Sequence, residues 1–68
     1  MSESIGDELP KEMARVREIL ATYKEIGPVG IFGGTMIEQS LREADRAVMS
    51  GDLLKMIRSY NDLREIQG

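Results

Sequence analysis

Apolar residues recur along this chain at the spacing of an α-helix. Met13, Val16, Leu20 and Tyr23 step by 3, 4 and 3, and Ile19 and Ile26 widen the stripe. Ile37, Leu41, Ala44 and Val48 step by 4, 3 and 4. Leu53, Met56, Ile57, Tyr60 and Leu63 form a third set, which Ile66 extends. Steps of three and four put side chains on one face of a 3.6-residue helix. No alternating run exceeds the short stretch 29–32. The chain therefore reads as all-α, a small unit of three helices.

Punctuation residues set the expected boundaries. Pro10 suits a first helical turn, where its missing N–H costs nothing, and Glu12 then sits near the positive end of the dipole. The first helix is expected over about residues 10–26, with Gly27 as its cap and Pro28 as its stop. The second helix is expected to start after Thr35 and to close at Ser50-Gly51. Asp52 then caps the third, and a Ser-Gly-Asp link forces the last two helices into an antiparallel αα-hairpin. Residues 1–8 are polar and expected to be flexible, and 27–34 is expected to be a glycine-rich loop, all within one domain spanning 1–68.

The length presses for help from outside the monomer. A chain of 68 residues buries only about 60% of its unfolded surface, and such domains turn to disulfides, metals or self-association. No cysteine is present, and no histidine, so disulfides, the usual zinc sites and histidine acid–base catalysis are excluded. A homo-oligomer is the expected remedy. The net charge of −3 interleaves acids with bases, which argues against duplex DNA. No apolar run is long enough to span a membrane, and the acidic start is no signal peptide, so a cytoplasmic protein is expected.

One segment looks shaped for more than packing. The stretch 27–34 holds four of the seven glycines and leads into Thr35-Met36-Ile37-Glu38. Thr35 and Glu38 have the spacing of a capping box, and a helix N-terminus with free N–H groups suits an anion. On this reading Gly30, Gly33, Gly34 and Thr35 approach a phosphate or carboxylate. Lys24, Arg42 and Arg46 add charge, and Phe32 or Tyr23 stacks on a base. The competing reading is a structural turn, with Ile31 and Phe32 plugging the end of the core or a subunit interface and Glu38–Arg42 an ordinary helical pair. The spacing fits neither a Walker A loop nor a dinucleotide fingerprint.

The other candidates are plainer. Glu38, Glu43, Asp45, Asp62 and Glu65 have Arg42, Arg46 or Arg58 at helical spacing, the pattern of a solvated face. No pair sits in apolar surroundings, so no enzyme is expected, nor a cofactor or metal cage. Met36, Met49 and Met56 cannot all face one small interior, so they are candidates for an oligomer seam or partner groove. Loose core filler is the alternative. Tyr23 and Tyr60 sit on their stripes as core residues with the hydroxyl at the edge.

Two resemblances follow. The pattern Gly51-Asp52-x-x-Lys55-x-Ile57-x-x-Tyr60-x-x-Leu63, with Ala44 and Ala47 upstream, resembles the turn and second helix of a tetratricopeptide repeat. It departs at Met56, where that family keeps a small residue, and the first helix shows no second copy, so what it implies is the hairpin. In size, acidity, lack of cysteine and a hairpin fed by a Gly-Pro loop, the chain also resembles small helical phage and prophage proteins. These include anti-defence sponges that sequester the cyclic-nucleotide signals of CBASS-type systems. That likeness implies non-catalytic binding of an anionic nucleotide at the loop, in the host cytoplasm if phage-encoded. The alternative is a protein-interaction or adaptor module that uses the Met/Ile-rich surface, with the loop passive.

Overall fold

A computed structural model describes residues 4–67, Val29 by its backbone alone. Three helices, α1 (Ile5–Ile26), α2 (Pro28–Ser50) and α3 (Leu53–Arg64), pack pairwise into one bundle, with no strand among the described residues. Leu9, Met13, Val16, Ile37, Leu41, Ala44, Ala47, Met56 and Leu63 form the core. Ile5, Ile19, Leu20, Tyr23, Tyr60 and Ile66 flank it.

Helix α1 starts five residues before the expected Pro10. The Ser4 carbonyl accepts the amides of Asp7 (3.0 Å) and Glu8 (2.9 Å), and both acids lie in the first turn, at the positive end of the dipole. Pro10 therefore falls in the second turn, where it removes the bond to the Gly6 carbonyl. Full burial of Leu9 next to it offsets that loss. Of the segment expected to be flexible, residues 5–8 are helical and 1–3 lie outside the described residues.

The expected loop 27–34 is not a loop. Gly27 alone joins α1 to α2, at φ 96° and ψ −150°, a conformation that disfavours any side chain. Pro28 starts the next helix instead of merely stopping the last, since φ near −65° suits its first position. The glycines that suggested a loop lie on the α1-facing side of α2. A Cβ at Gly30 would collide with the Tyr23 carbonyl oxygen, and one at Gly33 with the Tyr23 ring. At Gly34 it would meet Leu20 Cδ1 at an ordinary 3.6 Å. Glycine costs about 1 kcal/mol per position inside a helix relative to alanine. Close approach of the two helices, with Leu20 and Tyr23 packed between them, offsets that cost.

The apolar stripes are rotated from their expected centres. Val48, Leu53 and Ile57 are exposed, and Ala47 and Ser59 take inward positions. Helix α2 has α1 on one side and α3 on the other, and small residues at 44 and 47 let both approach. Met56 is 8% exposed, a core residue and not a seam methionine.

Helix α3 is attached at both ends. Gly51, at φ 69°, donates its amide to the Ala47 and Val48 carbonyls. Asp52 Oδ1 accepts the Lys55 amide at 3.2 Å, the expected cap. At the far end Arg15 donates to the carbonyls of Leu63 (2.9 Å) and Ile66 (3.0 Å). Glu12 holds that guanidinium in place through two bonds of 2.8 and 2.9 Å. The hydrogen bond from Arg15 holds the Glu12 carboxyl below its ordinary 4.5, against the opposing effect of burial. The charges of Arg15 and Arg64 act in the same direction as the bond.

A Gly30→Ala chain should lose more than about 2 kcal/mol in chemical denaturation, because the collision is with backbone. Gly34→Ala should be neutral or gain up to about 1 kcal/mol. Equal effects at the two sites would refute the close approach. A depressed carboxylate stabilises the fold above its unfolded value and loses that contribution as it protonates. The melting-temperature gap between the native chain and Glu12→Gln should therefore be present at neutral pH and narrow as pH falls below 4.5.

Candidate functional site

Continuity of α2 through residues 28–50 decides what the glycine segment can do. Within a helix the amides of Gly33, Gly34 and Thr35 belong to the i→i−4 ladder and do not point at a ligand. Thr35 is no cap: its Oγ donates to the Ile31 carbonyl at 2.8 Å, the back-bond of a mid-helix threonine. The positive end of the α2 dipole stands at Gly27 and Pro28, about two turns earlier. Proline offers no donor there, and the Gly30 amide is bonded to the Gly27 carbonyl at 2.9 Å.

The predicted binding residues divide between two surfaces: Lys24, Gly30, Gly34 and Thr35 line a depression between α1 and α2 together with Gly27, Pro28, Ile31 and Glu38, whereas Arg42, Arg46, Phe32 and Tyr23 do not line it. Gly30 and Gly34 are buried against α1, and Gly33 lies under the half-buried Tyr23 ring. Thr35, Arg42 and Arg46 do share a face, where with Gln39 and Glu43 they line a shallow depression on the outer side of α2. Lys24 reaches across from α1 to Glu38 at 3.7 Å, and the same carboxylate lies 3.9 Å from Arg42. Two of the three predicted cations thus share one acid. Phe32, 86% exposed, points neither into this depression nor into the core, and Ile31 is exposed as well, so these two side chains do not plug the end of the core.

The tertiary structure adds a grouping that sequence spacing does not show. Arg46 turns toward α3, where Lys55 and Arg58 join it with Glu43, Ser59 and Asp62 in a second shallow groove. Only the pairing of α2 with α3 brings these residues together. Among the described residues no His, Cys, Asp and Glu cluster could hold a metal ion, and no helix is long and apolar enough to cross a membrane.

The apolar surface is the larger feature. Ile26, Ile31, Phe32 and Met36 are exposed around the α1–α2 turn, and Val48, Met49, Leu53, Leu54 and Ile57 around the α2–α3 turn. Two of the three candidate interface methionines, Met36 at 72% and Met49 at 87%, are open to solvent, one in the first half of α2 and one in its last turn. Composition showed the surplus, but only the packing says which side chains it leaves outside. No protein-family model matches the chain, and no curated protein or solved structure is detectably similar to it.

The two Asx/Thr capping candidates should behave oppositely under truncation. Asp52→Ala should cost about 0.5–2 kcal/mol, the usual price of a lost N-cap. Thr35→Ala should be neutral within about 0.5 kcal/mol, since an exposed mid-helix site carries no such bond. Urea titrations compare them directly, and a cap-sized loss at Thr35 would restore the capping box.

Proposed function

We propose that this chain is a non-catalytic protein-interaction module that works through the exposed apolar side chains of its helices. The observation that carries the reading is the surplus of open large side chains, Phe32, Met36, Met49 and Leu54 foremost, on a bundle of 68 residues. Exposed apolar side chains grouped together, as these are around each of the two turns, mark contact sites where they form a large patch. Methionine contributes adaptable, polarizable contacts, and phenylalanine a large rigid one. In this reading the glycines serve the fold, and the polar outer face of α2 keeps the module soluble.

A second reading keeps the anionic ligand but moves it. Arg42 and Arg46, joined by Lys55 and Arg58 across the α2–α3 groove, offer a basic strip to a nucleotide, as a phage-type sequestering protein would need. The acids Glu38, Glu43 and Asp62 stand among them, which weighs against it. The first reading therefore takes precedence.

A photo-crosslinking phenylalanine analogue in place of Phe32 or Leu54 should capture a protein in irradiated cells, while one at the polar position Gln39 should not. Capture at none of these positions, or equally at all, would overturn the interaction reading. A melting-temperature screen against cyclic di- and trinucleotides, with sulfate as control, addresses the second reading. A selective shift of several degrees that Arg42→Gln with Arg46→Gln removes would favour it.

A further inference from the structure

Helix α3 is half the length of its neighbours. Its 12 residues rise about 18 Å against about 35 Å for the 23 residues of α2. After a two-residue link α3 runs back along α2, so it stops roughly midway. The Arg15 bonds to the Leu63 and Ile66 carbonyls mark where its end meets α1. Past that point, among the described residues, the end of α1 and the start of α2 pack against each other.

The side that α3 covers continues beyond it. On α2, Glu43 lines the groove against α3 and Ala47 is buried. Steps of seven and four back from Glu43 reach Met36 and Phe32 on the same side. On α1, steps of four and seven forward from Arg15 reach Ile19 and Ile26. Ile26 is 59% exposed, Ile19 and Tyr23 are half-buried, and Phe32 and Met36 are open. No Asp, Glu, Lys or Arg stands among these five positions.

We propose that this tip face, Ile26, Phe32 and Met36 with Ile19 and Tyr23 beneath, seats the same face of a second copy of the chain about a two-fold axis. The proposal rests on the interaction-module reading and names its partner. The area supports it. The open parts of Ile26, Phe32 and Met36 amount to roughly 325–435 Å², taking about 150–200 Å² for each whole side chain. Two copies bring about 650–870 Å². A specific interface of about 1,200–1,600 Å² that is about 56–65% apolar requires about 700–1,000 Å² of such surface. An uncharged face also meets its own copy without opposing like charges, and an isologous contact closes at two. The other end is less suited, because Met49 and Val48 share their groove with Arg17 and Asp45.

Sedimentation equilibrium of the purified chain up to about 100 µM tests the proposal. The expected species has twice the 7.6 kDa mass of one chain. Phe32→Glu or Met36→Glu should weaken dimerisation at least about tenfold with unchanged far-UV circular dichroism, while Met49→Glu leaves it intact. Phe32→Ser provides the same test without a new charge. A monomer throughout the range overturns the proposal, as does a dimer that Met49→Glu breaks and Phe32→Glu does not. If the monomer is nevertheless cross-linked through position 32 to a different protein, the interaction reading stands and only the second copy is lost. A monomer with no capture removes both.

Discussion

The fold depends on how closely α2 can lie against α1 at their shared turn. A one-residue connection gives the two helices no room to diverge, so their first contact is backbone on backbone at Gly30 and Tyr23. Everything further along inherits that geometry. The Leu20 and Tyr23 side chains fill the space over Gly34 and Gly33, and Arg17–Asp45 and Lys24–Glu38 span the same pair of helices on the outside. The ion pairs are exposed and contribute little. The glycines and the apolar core hold the pair together.

The third helix is added to this pair by a different means. Its start is set by local chemistry, the left-handed Gly51 and the Asp52 cap, which need no tertiary partner. Its end is set by a long-range contact, Arg15 across to the Leu63 carbonyl, which also accepts the Ile66 amide, and to the Ile66 carbonyl just beyond the helix. Glu12 keeps the guanidinium aimed, so a charged pair on α1 fixes where α3 lies. Met56 and Leu63 then complete the core between these two anchors.

A short third helix beside two long ones has a consequence for what the bundle leaves exposed. Large apolar side chains stay open around both turns, Ile26, Ile31, Phe32 and Met36 near the first and Met49, Leu53 and Leu54 near the second. That is why an association reading follows from the packing more readily than a ligand reading. The basic residues lie on faces they share with acids, and the depressions there are shallow.

The sequence by itself determined the helical class, the end of α2 at Gly51 and the start of α3 at Asp52. These follow from 3.6-residue periodicity and from caps whose bonds close within four residues. It did not determine that residues 28–34 are helical. Glycine lowers helix propensity wherever it stands, so local reasoning reads Gly30, Gly33 and Gly34 as a loop and Thr35 as the next start. Only the neighbouring helix reveals that the missing side chains make room for Tyr23. Tertiary packing also decided that Met56 is inside while Met36, Phe32 and Met49 are outside. Which face of an amphipathic helix is buried depends on where two other helices lie, and no spacing within one helix contains that information.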